Sequence, residues 1–163
     1  MHTIVIVERE NYRNSMENIA SRTAQKYEKT CYISFSDPYH IVIEMLQNAN
    51  VDEKFIVVDA TGNVKEITNP HKTAYVLPIE HLFDVYLFLK NLIIDENIKV
   101  LLVDSLSALI YKHNQLPLKQ MLTNLLLEVG TLRCDSRLVV LKEHLNHEVI
   151  THLNPLIGNS IVM

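Results

Sequence analysis

Glycine is scarce in this chain. Gly62, Gly130 and Gly158 are the only three in 163 residues, against an ordinary usage of about 7%. That scarcity excludes several kinds of site at once. There is no GxGxxG dinucleotide fingerprint. No serine sits in the G-x-S-x-G turn that exposes a hydrolase nucleophile. Cysteine is nearly as rare: Cys31 and Cys134 are far apart and form no CxxC pair, which excludes a disulfide framework and suits a reducing cytosol. Tryptophan is absent. No apolar run approaches the ~18 residues of a membrane span. Met1–Val7 has no basic leader region and reads as a strand, not a signal peptide. No run of Lys or Arg stands out, and the net charge is −4. A chain with that balance has no global electrostatic reason to bind nucleic acid or an anionic membrane. The expectation is a cytoplasmic, soluble protein with no membrane partner.

What is present is a core. Apolar residues make up 48% of the chain and charged residues 21%, normal for one globular domain spanning 1–163. Short runs rich in Val and Ile recur at Thr3–Val7, Thr30–Phe35, Phe55–Asp59, Val100–Asp104, Leu138–Leu141 and Ser160–Met163. Continuous apolar runs suit strands covered on both faces of a parallel sheet. Between them lie stripes at helix spacing. Met16, Ile19, Ala20, Ala24 and Tyr27 form one; Ile79, Leu82, Phe83, Tyr86, Leu89 and Ile93 another; Leu118, Leu122, Leu125, Leu126 and Val129 a third. A shorter helix opens at Asp37-Pro38, where Asp suits a cap and Pro the first turn. A last one runs from Asn146 to about Asn154. The order is β-α-β-α-β, a longer connection, then α-β-α-β-α-β. It predicts an α/β fold: a three-layer α/β/α sandwich with a mostly parallel sheet. Ligands of such folds sit beyond the carboxyl ends of the strands.

Each of those ends carries a carboxylate or a hydroxyl. Glu8–Glu17 follow the first strand, Ser34-Phe35-Ser36-Asp37-Pro38 the second, Asp59-Ala60-Thr61 the third and Asp104-Ser105-Leu106-Ser107 the fourth. The run Val100–Leu109 resembles the Walker B strand of RecA/KaiC-like ATPases, apolar residues followed by Asp-Ser-Leu-Ser. Tyr32-Ile33-Ser34-Phe35 is similar to the strand that ends in that family's catalytic acid. Phe55–Ala60 and Leu153–Met163 resemble further elements of the KaiC branch. The resemblance covers nearly the whole chain and implies a RecA-like sheet. It implies that Asp104 stands at the Mg²⁺-associated Asp, and that Asp37 falls one or two residues from the catalytic acid. Domains of the family assemble side by side, so the partner it implies is another copy or an active RecA/KaiC-like ATPase. A full family core would continue with more strands beyond Ser160–Met163, leaving one sheet edge here less covered.

The departure is as informative. A working phosphate loop reads GxxxxGK[ST]: its glycines turn backbone N–H groups around the phosphates, and its Lys reaches them. The corresponding segment, Glu8–Glu17, has no Gly and no Lys. Ser15 and Met16 stand where Lys and Ser/Thr would be. Glu8, Glu10 and Glu17 outnumber Arg9 and Arg13. The expectation is a degenerate Walker A, no ATP hydrolysis and no cofactor, with Arg13, Ser15, Asp37, Asp104 and Ser105 marking a vestigial site. Each has a plainer reading. Asp37 caps a helix, Asp104 bonds the N–H groups of the loop after it, and Arg13 is solvated.

Other constellations are thinner. In His144-Leu145-Asn146-His147-Glu148-Val149-Ile150-Thr151-His152, the five-residue step from His147 to His152 turns the rings about 140° apart on a helix, so they do not share a metal face. His144 and His147 could share one, but no third ligand is evident. Cys31 lies within a strand and reads as packed. Cys134, beside Arg133, reads as exposed with a lowered pKa. Three functions follow. The first is a non-catalytic scaffold or regulator working through protein contacts. The second is a ligand or Mg-nucleotide sensor, or an enzyme, using Asp37, Asp59, Asp104 and Ser105 around a cation. The third is a recombinase-paralogue-like protein associated with nucleic acid, using Lys112, His113, Lys119, Arg133 and Arg137. The acidic balance speaks against the third.

Overall fold

Three strands are buried at every residue: β2 (Thr30–Ser34), β3 (Phe55–Asp59) and β6 (Val100–Asp104). They form the middle of the molecule, seen in a computed structural model that describes residues 1–62, 64–78 and 80–163. Around them lie β1 (His2–Val7), β4 (Thr68–His71), β5 (Ala74–Val76), β7 (Asp135–Leu141) and β8 (Asn159–Val162). The helices are α1 (Tyr12–Lys26), α2 (Tyr39–Asn48), α3 (Leu82–Asp95), α4 (Leu106–Lys112), α5 (Gln115–Thr131) and α6 (Glu148–Leu153). The strand order is β4-β5-β3-β2-β6-β7-β1-β8. All neighbours run parallel except β4 and β5.

Parallel neighbours require crossovers, and the crossovers supply the outer layers. On one face α1 and α2 bury Met16, Ile19, Ala20, Val42, Met45 and Leu46 against Val5, Tyr32, Val57 and Leu102. On the other, α3, α4, α5 and α6 bury Leu89, Leu109, Leu122, Leu126 and Ile150 against Ile4, Ile33, Leu101 and Val140. The α/β/α sandwich expected from the alternating pattern is the observed fold. Among the described residues, no helix is long and apolar enough to cross a membrane.

The structure corrects the sequence reading in three places. The long connection after β3 contains the antiparallel hairpin β4–β5. Strand β4 reads Thr-Asn-Pro-His and is exposed throughout. It has no apolar face to alternate, and its Pro70 argues against a strand except at an edge, which is where it lies. The apolar run through Leu109 hides α4, because a short apolar run does not separate strand from helix by periodicity. Ile79, expected to head the α3 stripe, lies outside the described residues.

The third correction concerns Cys134 and follows from the shortage of glycine. Helices commonly stop on a left-handed residue, usually Gly. Here Asn50, Asn97 and Arg133 take that conformation, with φ of 56°, 52° and 54°. Each is followed by a residue whose N–H reaches back to the helix: Val51 to Leu46 O (3.0 Å), Ile98 to Ile93 O (3.0 Å) and Cys134 to Val129 O (3.0 Å). After α5 this turn sends Arg133 outward and Cys134 into the core, 1% exposed. Burial pushes its thiol up to about 12, the opposite of a reactive cysteine.

Arginine in the left-handed region carries a steric cost of roughly 1 kcal/mol that glycine avoids. Arg133→Gly is therefore expected to raise the midpoint of thermal unfolding by about 2–4 °C. A calorimetric scan that shows an unchanged or lower midpoint contradicts this account of the α5 end.

Candidate functional site

Residues of the same parity in β2, β3 and β6 face α1 and α2. In the parallel register Ser34 lies beside both Asp59 and Asp104, and Tyr32 beside Leu102. Three polar strand ends are thereby brought together under two helices. Each had to find partners out of water, and they did so to different degrees.

Asp59 is fully engaged. Its Oδ1 accepts from the Thr61 N–H (3.0 Å) and Thr61 Oγ1 (2.7 Å), and its Oδ2 accepts from the Tyr39 N–H (2.9 Å). The last bond caps α2. Asp37, expected to cap that helix, makes no cap hydrogen bond, and Pro38 occupies the cap position. Proline fixes the approach of the chain, and the cap is supplied by a carboxylate from the neighbouring strand. The Asp37 N–H donates to Ser34 Oγ (3.0 Å), which leaves the Asp37 carboxylate free to point elsewhere.

Asp104 is barely engaged. It is 1% exposed. Its Oδ2 accepts from the Tyr32 hydroxyl at 2.6 Å, and its Oδ1 is buried with no partner. It does not bond the N–H groups of the loop after it, as expected from sequence. That loop is the single residue Ser105, which leads directly into α4. Burial alone raises the Asp104 carboxyl from 3.8 to about 8, because desolvation disfavours the charged form.

Asp104 lines a cleft of about 170 Å³ between α1 and α2. Tyr12, Arg13, Tyr32 and Asp37 share that lining; Met16, Ile41, Val42 and Met45 make its apolar wall. The Tyr12 hydroxyl is a second buried polar atom without a partner. Of the five residues marked from sequence, Arg13, Asp37 and Asp104 meet here. Arg13 is exposed, as the plain reading had it. Ser15 and Ser105 are buried, at 6% and 4% exposed, and lie outside the lining. Tyr12 and Tyr32 were not marked as site residues. The signal for Tyr32 was available: it stands two residues before Ser34 and therefore faces the same side.

The connection from β1 to α1 runs beside this cleft. Only Glu8–Asn11 separate the strand from the helix. Arg9–Asn11 form one 3-10 turn, closed by the Asn11 N–H to Glu8 O at 3.1 Å. Its side chains pair with the turn just after β7, Lys142–His144: Arg9 with Glu143, and Glu8 with Lys142 at 2.9 Å. Tyr12 then packs against the core on the α1 side.

The remaining constellations disperse. His144 Nε2 meets the Tyr111 hydroxyl (2.9 Å), His147 Nδ1 accepts from the Val149 N–H (3.2 Å) and His152 Nε2 meets Thr123 Oγ1 (3.2 Å). Among the described residues no group of three or more His, Cys, Asp or Glu is placed to hold a metal ion. The basic residues are divided by the sheet. Lys119 pairs with Glu148 on the α5 side, Lys112 donates to Phe35 O, and Arg137 donates to Thr23 on α1.

No protein-family model and no curated protein matches the sequence. Among solved structures, the fold is similar to that of a KaiC-like protein from the hyperthermophilic archaeon Pyrococcus horikoshii, with a TM-score of 0.71. The match covers 99% of this chain and 69% of the archaeal one at 11% sequence identity, a likeness of fold.

Asp104 gives the site a pH signature. Its folded value lies above its ordinary 3.8. The folded state therefore keeps a proton that the unfolded chain loses. The stability this confers is complete below about pH 4 and lost as pH rises to about 8. Across that window the unfolding midpoint of the native chain should fall relative to that of Asp104→Asn. A constant gap between the two would show that Asp104 ionises normally.

Proposed function

We propose that this chain is a non-catalytic RecA/KaiC-like domain that regulates or scaffolds a partner through protein contacts. The observation that carries the reading is the β1–α1 connection. A triphosphate needs a loop of inward-pointing N–H groups and a lysine. The segment Glu8–Asn11, closed by the 3-10 turn Arg9–Asn11, has no Gly and no Lys and is tied by its own ion pairs to the turn after β7. A phosphate arriving there meets Glu8 and Glu10 and finds Arg9 already paired. The dipole of α1 is worth only ~0.3–1 kcal/mol at an exposed helix end. Asp104, without a phosphate-bound Mg²⁺ to hold, has no catalytic task.

The reading of protein contacts is supported by what α3 leaves uncovered. Leu82, Val85, Leu89, Leu92 and Ile93 are buried, while Phe83, Leu87 and Ile94 are exposed. Phe83 and Leu87 are four residues apart and so neighbours on one helix face. Contiguous exposed apolar side chains of this kind mark interaction surfaces. The partner is a second RecA/KaiC-like domain, either another copy or an active relative.

Two measurements test this. Phosphate release from Mg·ATP should stay at the buffer background; turnover near the ordinary enzyme range of ~1–1,000 per second would overturn the reading. Light scattering of the chain, alone and mixed with an active RecA/KaiC-like ATPase, should show a complex that Phe83→Glu weakens at least about tenfold, as hot-spot aromatics do. A strictly monomeric chain that ignores the ATPase would equally overturn it.

A further inference from the structure

We infer that the cleft between α1 and α2 is a binding site for a small primary ammonium ion carrying a short alkyl body. Asp104 and Tyr12 both line it, and each has a buried polar atom that the protein leaves without a partner, Asp104 Oδ1 and the Tyr12 hydroxyl. Buried polar groups are ordinarily paired, because an orphan costs about 1–3 kcal/mol. Two orphans on residues that line one hollow point to a guest whose groups complete them. Both can accept a hydrogen bond, and an ammonium group offers three donors from a single atom.

Charge sets the sign of the guest. Arg13 and Asp37 at the lining offset one another, and Asp104, once ionised, remains as one uncompensated carboxylate. Among the described residues, none of the ion pairs involves any of the three. A single positive charge balances the site with Asp104 ionised, whereas an anion would then meet two carboxylates. Shape and surface set the class. Met16, Ile41, Val42 and Met45 form an apolar wall, and Tyr12 and Tyr32 add ring surface. Such walls suit an alkyl chain, and ring faces attract an adjacent cation. The volume of about 170 Å³ is close to that of the ~150 Å³ cavity known to admit benzene. It suits a chain of a few carbons and excludes a nucleotide. The site does not depend on the proposed function, and its test reads neither ATP turnover nor assembly.

The probe is n-butylammonium chloride, with n-butanol as the neutral counterpart of the same shape. It is titrated into the full chain labelled at methionine methyl groups, at about pH 8.5, where Asp104 is largely ionised. Met16 and Met45 report from the wall, while Met1, Met121 and Met163 lie outside the lining and serve as controls. Butylammonium should shift the Met16 and Met45 signals saturably, and butanol should bind at least about tenfold more weakly, the worth of one charge-assisted hydrogen bond. Asp104→Asn should weaken butylammonium at least about tenfold. Tyr12→Phe, which removes an unpartnered hydroxyl and keeps the ring, should weaken it about threefold and serves if the first variant does not fold. No saturable shift, equal binding of the alcohol, or unchanged affinity in a folded variant overturns the site.

Discussion

A parallel sheet covered on both faces leaves its polar side chains nowhere to go but the strand ends. That constraint governs this molecule. Strands β2, β3 and β6 are buried along their whole length, so each can carry a polar group cheaply only where the chain leaves the sheet. Ser34, Asp59 and Asp104 sit at those ends in register. Asp59 is absorbed by capping α2 and closing the turn to Thr61. Asp104 is held through one hydrogen bond from Tyr32 and is otherwise bare. The difference between these two carboxylates, equal in sequence and in strand position, separates structure from site.

The same constraint explains what was legible in the sequence. Full burial writes itself as unbroken Val/Ile/Leu runs, so the central strands and the three-layer architecture could be read directly. Amphipathic stripes placed α1, α3 and α5. Elements that bury little write little: β4, exposed and carrying Pro70, had no pattern to find. Helix α4 failed for the opposite reason, since it continues an apolar run already assigned to a strand. Cys134 was misjudged because the charge of Arg133 was visible, whereas the left-handed turn that separates the two was not. Asp37 followed the capping statistics for its own position, but the cap came from Asp59, twenty-two residues later in sequence and beside it in space. Local preference cannot see an acceptor from another strand.

The site was half legible. Arg13, Asp37 and Asp104 line one cleft. Ser15 and Ser105 do not, because each turns into the packed layer beside its helix or strand. The two tyrosines that complete the cleft carry no motif and look like core residues until the register is known. The β1–α1 connection was legible by what it lacks. A glycine-free segment has little freedom to curl its N–H groups inward, and Glu8–Asn11 takes the compact alternative, a 3-10 turn stitched to the turn after β7. The RecA/KaiC-like fold and the proposed loss of its chemistry thus meet in one short stretch of backbone.

The most direct test reads that stretch. Backbone amide signals of Glu8–Arg13 can be followed by NMR as Mg·ATP is added to millimolar excess. A closed turn predicts that they stay in place, because the Asn11 N–H is already bonded to Glu8 O and that of Tyr12 to Arg9 O. Saturable shifts concentrated on those amides would mean that the turn opens around a triphosphate, and the account of a non-catalytic domain would fail.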